Sequence, residues 1–284
     1  MTSKLTILLL VASVISSNAQ KTNTVEHKSG YAPVNGLKMY YEIHGQGGVP
    51  LVLLHGGGST IESTFGNVLS MFAAKGKVIA VELQAHGRTS DRNTPESFET
   101  DADDVAALLN YLKIDKANFF GFSNGGTTTL QIAIRHPEIV NKIIDLSGAS
   151  EREGFVPGFF EGFPNATLET MPAPLKEAFL KVTPDKDKLQ VMFNKDVERM
   201  KNFKDIPENS IQSIKAPTLI MVTDRDVMSV ENAAKMSHKI PGARLAILPG
   251  LHGACIGEVC TATKGSKVPD LTVALIEEFL NEQP

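Results

Sequence analysis

The chain has 284 residues, of which 42% are hydrophobic and 21% charged, a composition typical of a globular protein and too apolar for a disordered one. Lys and Arg total 28 against 32 Asp and Glu, a net charge of −4, so there is no basic excess to bind nucleic acid or an anionic membrane. The two cysteines exclude a disulfide scaffold and a four-thiolate zinc site.

Residues 1–19 have the pattern of a secretory signal peptide. Lys4 precedes an apolar run over residues 5–15, which is shorter than the roughly 20 residues needed to span a bilayer. Small residues at positions 17 and 19 predict cleavage after Ala19. A buried N-terminal helix or a membrane anchor is the alternative interpretation. The pattern favours a secreted or periplasmic protein that begins at Gln20 and has no membrane contact after cleavage.

The next segments alternate between strands and helices. Residues 31–34 and 37–44 are predicted strands joined by Asn35-Gly36, a strong hairpin signal. Apolar runs predict buried strands at residues 50–54, 77–83, 117–122 and 141–146. Helical spacing of apolar residues predicts helices at residues 61–74, 102–112 and 124–135. Strands that alternate with helices and are apolar on both faces indicate a parallel sheet covered on both sides.

This alternation stops between Ser150 and Lys215. The segment has no buried-strand pattern, yet it holds half of the chain's 14 phenylalanines, namely Phe155, Phe159, Phe160, Phe163, Phe179, Phe193 and Phe203. Beyond it, strands are predicted at residues 217–223 and 244–248, and helices at residues 230–240 and 271–280. We therefore predict one α/β core, residues 20–149 and 216–284, with a helical cap inserted at residues 150–215.

A candidate nucleophile lies between a buried strand and a helix, in Gly121-Phe122-Ser123-Asn124-Gly125. This is the G-x-S-x-G pattern of a nucleophile elbow in its required context. A sharp turn there would lift the Ser123 hydroxyl clear of the sheet, and the helix N-terminus would aim free backbone N–H groups at developing negative charge. The pattern alone leaves open a Gly/Ser turn that matches by chance.

Three further segments favour the catalytic interpretation. His55-Gly56-Gly57-Gly58 follows an earlier strand, where a second backbone donor to an oxyanion is expected. A flexible glycine turn is the alternative interpretation. A phosphate-binding loop is disfavoured, because it would need a Gly-Lys-Ser/Thr ending. Two aspartates, Asp224 and Asp226, follow the next-to-last strand, and His252 follows the last one. The carboxyl ends of parallel strands meet at one sheet edge, so these residues are expected to lie together.

The order Ser, Asp, His along the chain is that of the α/β-hydrolases. With these motifs, and with residues 82–89 similar to the family's Asp-x-x-Gly-His-Gly-x-Ser loop, the chain from about Asn35 to Leu280 resembles an α/β-hydrolase of the small-cap esterase and lactonase type. It departs from the family pattern at four loop positions, namely Glu82, Ala85, Thr89 and Thr223. These differences affect the assignment to a subfamily more than the expected mechanism. A serine at the elbow disfavours the epoxide hydrolases and haloalkane dehalogenases of this fold, which use aspartate.

The resemblance implies a role for each candidate. Ser123 would be the nucleophile, His252 the general base, and Asp226, last in the turn after its strand, the acid that orients His252. The N–H groups of Gly57 and Asn124 would form the oxyanion hole. No metal or cofactor is implied.

Several side chains outside the motifs have expected supporting roles. The histidines at positions 55 and 86 are expected to orient the oxyanion loop and to belong to a structural turn. Three phenylalanines, Phe122, Phe155 and Phe159, are expected to contact a bulky or apolar acyl or alcohol group of the substrate. Met171, Met192 and Met200 would fill the core of the cap. Cys255 and Cys260 are either a disulfide or two free thiols.

The sequence thus predicts an exported serine hydrolase that cleaves a small-molecule ester or lactone through an acyl-enzyme. Two alternatives stay open. The enzyme could act specifically on macrocyclic lactones of the macrolide type, or the chain could be a catalytically idle hydrolase fold that binds a small molecule. The sequence leaves the oligomeric state open.

Overall fold

The computed structural model describes residues 27–282, so the predicted signal peptide and its cleavage site lie outside the described residues. An eight-stranded sheet runs through the molecule. Its strands are β1 (His27–Val34), β2 (Leu37–His44), β3 (Leu51–Leu54), β4 (Val78–Val81), β5 (Ala117–Phe122), β6 (Val140–Leu146), β7 (Thr218–Arg225) and β8 (Arg244–Leu251).

The strand order is β1-β2-β4-β3-β5-β6-β7-β8. Strand β2 is antiparallel to its neighbours β1 and β4, and the strands from β3 to β8 are parallel to one another. Asn35 and Gly36 join β1 to β2 with positive φ angles of 45° and 83°, as a tight two-residue hairpin turn requires. The predicted hairpin and the mostly parallel sheet are confirmed.

Helices lie on both faces of the sheet. They are α1 (Ile61–Phe65), α2 (Leu69–Ala73), α3 (Phe98–Tyr111), α4 (Asn124–Arg135), α5 (Ala173–Val182), α6 (Lys186–Lys201), α7 (Glu208–Gln212), α8 (Val230–Lys239) and α9 (Val268–Asn281). The prediction of one helix over residues 61–74 is wrong. Gly66, a poor helix former, ends α1, and the Asn67 side chain turns away to donate to the Gly257 carbonyl.

Two buried clusters sandwich the sheet. Leu51 and Leu53 of β3 belong to one cluster, and Val52 and Leu54 belong to the other, because successive strand side chains point to opposite faces. The first cluster packs against α1, α2 and α9, and the second against α3, α4 and α8. Burial on both faces explains the unbroken apolar runs in the sequence.

Residues 150–215 lie between β6 and β7 and contain α5, α6, α7 and short 3₁₀ turns. Met171, Phe179, Leu189 and Met192 form a small core within this cap. Phe203 joins the large cluster beneath it, so the cap is packed onto the sheet domain rather than independent of it. No helix within residues 27–282 is both long enough and apolar enough to cross a bilayer.

Candidate active site

The turn between β5 and α4 holds Ser123 in a strained backbone conformation, with φ 56° and ψ −119°. The glycines around it are required by close contacts. A Cβ on Gly121 would lie 2.0 Å from the Gly125 carbonyl oxygen, and a Cβ on Gly125 would lie 2.1 Å from the Leu54 carbonyl oxygen. Only glycine fits at either position, and the strained turn presents the Ser123 side chain at the N-terminus of α4.

Three side chains that follow the ends of β5, β7 and β8 come together at the sheet edge. Ser123 Oγ lies 3.0 Å from His252 Nε2, and His252 Nδ1 lies 2.6 Å from Asp226 Oδ1. The His252 side chain is 26% exposed, whereas that of Asp226 is fully buried. A hydroxyl, an imidazole and a carboxylate in this order can pass the serine proton to the imidazole, and the carboxylate then stabilises the imidazolium.

Asp226 is held by a dense set of donors. Its Oδ2 accepts hydrogen bonds from Ser147 Oγ at 2.6 Å and Thr223 Oγ1 at 2.7 Å, and its Oδ1 accepts from the Val227 N–H at 2.7 Å. Burial alone would raise the pKa of Asp226, but the hydrogen bonds and charge of His252, together with the two hydroxyls, hold this pKa well below its usual range. The carboxylate is therefore ionised. Thr223, a departure from the family pattern, supplies one of its donors.

Asp224 has a different partner. Its Oδ1 accepts a hydrogen bond from the Gly250 N–H at 2.8 Å, which ties the end of β7 to the end of β8. The structure thus brings Asp226 to His252 and uses Asp224 in the loop that carries His252.

The ring of Phe122 packs against the imidazole of His252, with ring centroids 4.6 Å apart. Phe122 is only 3% exposed and is absent from the lining of the cavity above Ser123, so the expected contact with substrate is corrected. As the last residue of β5 it points into the core below the elbow. Its position supports the His252 ring from beneath.

His55 holds the loop of residues 55–58, called here the oxyanion loop after its predicted role, by two hydrogen bonds. Its Nδ1 donates to the Gly56 carbonyl at 2.8 Å, and its Nε2 accepts from the Leu83 N–H at 3.0 Å. The ring is therefore neutral, and burial lowers its pKa to about 3. Within residues 27–282, neither the Gly57 N–H nor the Asn124 N–H has a hydrogen-bond acceptor, so both are free for a ligand oxygen.

A cavity of about 300 Å³ opens above Ser123 between the sheet edge and the cap. Its wall is mostly apolar and is built by cap side chains, namely Phe155, Phe159, Phe163, Met171, Leu175, Met192, Phe193, Val197, Met200 and Phe203. Phe155 and Phe159 stack on each other with ring centroids 4.4 Å apart. The structure therefore places two of the three predicted phenylalanines, and all three cap methionines, at the cavity.

Sequence analysis missed Ser147 and Asp196, which also line this cavity. Ser147 has φ 58° just beyond β6, a conformation that no sequence motif marks. Asp196 lies on α6 at helical spacing from the buried residues Leu189 and Met192, so the amphipathic pattern of α6 places a charged residue on its buried face. A charged residue on the apolar face of a helix could have marked Asp196 as a candidate functional residue.

The two cysteines are free thiols in the structure. Cys255 is buried in a 3₁₀ turn after His252, and Cys260 is exposed, so their side chains face different environments. Of the two alternatives, a disulfide or two free thiols, the structure shows two free thiols. Among residues 27–282 no group of three or more His, Cys, Asp or Glu side chains could hold a metal ion.

Comparisons with known proteins agree with the fold. A family model described as alpha/beta hydrolase fold matches residues 49–210, more than half of the chain. Serine hydrolase BPHL of Homo sapiens is 27% identical over 237 residues, which cover 78% of this chain and 78% of that protein. The enol-lactonase of Burkholderia xenovorans LB400 has a TM-score of 0.68 and 24% identity, over 89% of this chain and 100% of the other.

A second solved structure, of an N-acyl homoserine lactone degrading enzyme, has a TM-score of 0.66 and 25% identity, over 87% of this chain and 99% of the other. Both solved structures superpose on most of this chain, at TM-scores of 0.68 and 0.66. With the family model matching residues 49–210, they lead to one conclusion: the chain belongs to the α/β-hydrolase fold family.

Proposed function

We propose that this protein is a serine hydrolase that cleaves carboxylic esters or lactones through an acyl-enzyme. The observation that carries the proposal is the hydrogen-bonded series Ser123–His252–Asp226, whose first member, Ser123, lines an apolar cavity. A binding protein would need the cavity but not this aligned series. The likeness to a serine hydrolase over 78% of the chain supports the same reaction type.

The reaction follows from the contacts. His252 Nε2 takes the proton of Ser123 Oγ as this oxygen attacks the substrate carbonyl carbon. The resulting oxyanion accepts hydrogen bonds from the free N–H groups of Gly57 and Asn124. As the intermediate collapses, the C–O bond to the leaving alcohol breaks and His252 returns the proton to that alcohol. Water, deprotonated by His252, then attacks the acyl-enzyme and releases the carboxylic acid.

The cavity wall selects the substrate class. Among the described residues that line it, Asp196 is the only charged side chain and there is no lysine or arginine. A substrate carboxylate would lose its water there and gain no counter-charge, at a cost of several kcal/mol. The substrate is therefore an uncharged ester or lactone with a bulky apolar group, a class that includes long-chain acyl lactones. The N-acyl homoserine lactone degrading enzyme at 25% identity agrees with this class.

The test is a substrate panel with wild type and Ser123→Ala. It contains nitrophenyl esters of increasing acyl length, neutral lactones with short and long acyl chains, a macrocyclic lactone, and one ester with a terminal carboxylate. We expect turnover of the neutral apolar members, little of the carboxylate ester, and a loss of about 10⁴-fold or more in Ser123→Ala. Full activity in Ser123→Ala, or no turnover of any member by wild type, would contradict the proposal. The macrocyclic arm decides whether that ring size fits.

We further propose that the protein is exported, on the strength of the pattern in residues 1–19. Expression of the full chain followed by N-terminal sequencing of the exported fraction should give a mature protein that begins at Gln20. A full-length protein retained inside the cell would contradict export and leave the hydrolase proposal untouched.

A further inference from the structure

We propose that Asp196 is a positioning residue that fastens the oxyanion loop to the cap, so that the oxyanion hole is complete only while cap helix α6 is seated. The inference rests on the proposed hydrolase function and adds a residue from outside the catalytic series. It also assigns the cap a part in turnover beyond shaping the cavity.

One carboxylate joins three parts of the site. Asp196 Oδ2 accepts hydrogen bonds from the Gly58 N–H at 2.5 Å and from His86 Nε2 at 2.9 Å. Its Oδ1 accepts from Arg199 Nη2 at 2.5 Å and from Asn124 Nδ2 at 3.4 Å. The side chain is 14% exposed, so these contacts are largely shielded from water. Asp196 therefore connects α6 to the oxyanion loop and to the residue after the nucleophile.

The peptide units on both sides of Gly57 are fastened by hydrogen bonds. His55 Nδ1 donates to the Gly56 carbonyl and fixes the unit before Gly57, whose N–H is the proposed oxyanion donor. Asp196 accepts from the Gly58 N–H and fixes the unit after it. Glycines rotate freely and peptide units are planar, so these bonds set the direction of the Gly57 N–H. Ser59 Oγ also donates to the Gly57 carbonyl, at 3.3 Å. Without Asp196, the unit after Gly57 keeps only that longer hydrogen bond.

His86 is cationic in this arrangement. Its Nδ1 faces the Gln84 carbonyl at 2.8 Å and its Nε2 faces Asp196 Oδ2, so both ring nitrogens must carry protons. Burial works against the charge, but Asp196 and Glu96 outweigh it and raise the pKa of His86 to about 9. His55 lies 4.8 Å away and is neutral, so the two rings do not repel each other.

The cation has an electrostatic purpose. A bare carboxylate beside the oxyanion hole would oppose the negative charge that develops there. The positive charge of His86 offsets the negative charge of Asp196, and Arg199 is shared among Asp196, Asp101 at 2.6 Å and Glu96 at 3.1 Å. Asp196 can thus hold the loop without opposing the reaction. A charged pair with additional hydrogen bonds on both partners is also the form of buried ion pair that proteins tolerate.

The first experiment compares Asp196→Asn with Glu198→Gln. Both variants remove one carboxylate from α6, but Glu198 is exposed, with 59% of its side chain accessible, and does not line the cavity. For Asp196→Asn we expect kcat to fall about 10- to 100-fold with KM nearly unchanged, because a displaced oxyanion donor weakens only the transition state. Affinity for a trifluoromethyl ketone, whose serine adduct carries an oxyanion, should fall by the same factor as kcat/KM. Glu198→Gln should match wild type.

A second measurement needs no variant. The groups that face His86 are Asp196 and Arg199 from α6, Glu96 from the loop before α3, Asp101 from the first turn of α3, and His55 from the oxyanion loop. Above a pH of about 9 His86 loses a proton and one of its two hydrogen bonds, so kcat of wild type should decline there while KM holds.

Each outcome of these experiments supports or overturns the positioning role of Asp196. An Asp196→Asn enzyme with wild-type kcat, or with a change in KM alone, overturns the positioning role and leaves the hydrolase function standing. If Asp196→Asn does not fold, a wild-type kcat that stays flat well above the pKa of His86 overturns it instead. Wild type without turnover on the whole panel removes the proposed function and this inference together.

Discussion

Two carboxylate–histidine pairs lie in the same site, one at the sheet edge and one under the cap. At the sheet edge, Asp226 contacts His252 Nδ1 at 2.6 Å, and the other ring nitrogen faces the Ser123 hydroxyl. Under the cap, Asp196 contacts His86 Nε2 at 2.9 Å, and the other ring nitrogen faces a backbone carbonyl. The His252 side chain is 26% exposed, whereas the His86 side chain is 1% exposed.

The group opposite the carboxylate separates the two pairs. A hydroxyl can give up its proton and take it back, so His252 can cycle between neutral and charged forms during a reaction. A carbonyl has no proton to give, so His86 stays charged and acts as a fixed link. The same two residue types thus serve proton transfer at the sheet edge and positioning under the cap.

The largest effect is expected at the sheet edge, where Asp226 and its neighbour Asp224 provide a matched pair. Asp226→Asn should preserve shape but favour the wrong tautomer of His252, with a loss of up to about 10⁴-fold in kcat. Asp224→Asn removes the charge but keeps an oxygen that can accept from the Gly250 N–H, so it should cost at most about tenfold. Steady-state kinetics on one neutral ester measures both. A crippled Asp224→Asn beside a nearly normal Asp226→Asn would reverse the comparison.

Under the cap, the expected effect is on stability. Folding raises the pKa of His86 from 6.5 to about 9, so the stabilisation from its charge is fully present below pH 6.5 and is lost as the pH rises through about 9. Over that window the free energy of unfolding should fall by about 1 to 3 kcal/mol. Urea titrations at several pH values measure it. His86→Gln should be less stable at neutral pH and should show a smaller slope, and an equal slope in both proteins would contradict the charged link.

A smaller effect is expected from Ser147→Ala, which removes one of the two hydroxyls that donate to Asp226 Oδ2. One hydrogen bond to a charged group is worth about 1.5 to 3 kcal/mol. Because part of this energy should appear in the activation free energy, kcat should fall roughly tenfold. Thr223→Val removes the other hydroxyl and is the matched variant. If kcat is normal in both variants and in the double variant, the donors do not set the state of Asp226.

The smallest effect concerns the cavity wall. Phe159→Ala should raise KM for a long-chain ester by about fivefold, because apolar contact area with the acyl or alcohol group is lost. KM for an acetyl ester should not change. An equal rise for both esters would show that the substitution disturbs the cap as a whole and that Phe159 does not select chain length.

The residues that could be predicted from the sequence are those whose positions follow from local sequence patterns. The elbow residue Ser123 and the helix that follows it come from a short motif in which turn and glycine requirements are all local. Asp226 was separable from Asp224 by its place in the turn. Phe122 was misplaced, because whether the last residue of a strand faces core or cavity depends on the twist of the sheet around it.

The contacts of Asp196 could not be predicted from local sequence patterns. Its partners Gly58 and His86 are 138 and 110 residues away in sequence, and only the folded cap brings them together. The charged residue on the buried face of α6 could have flagged it, but not its target. Local patterns predict elements and motif residues, whereas the contacts of an inserted segment follow from its tertiary docking.

The nucleophile assignment is the centre of the account, and a fluorophosphonate probe tests it most directly. The folded wild-type protein is labelled at neutral pH, digested, and mapped by mass spectrometry. Ser123 should carry the phosphonate, Ser147 in the same cavity should not, and Ser123→Ala should take up none. Labelling of Ser147, or undiminished labelling of Ser123→Ala, would contradict the central claim.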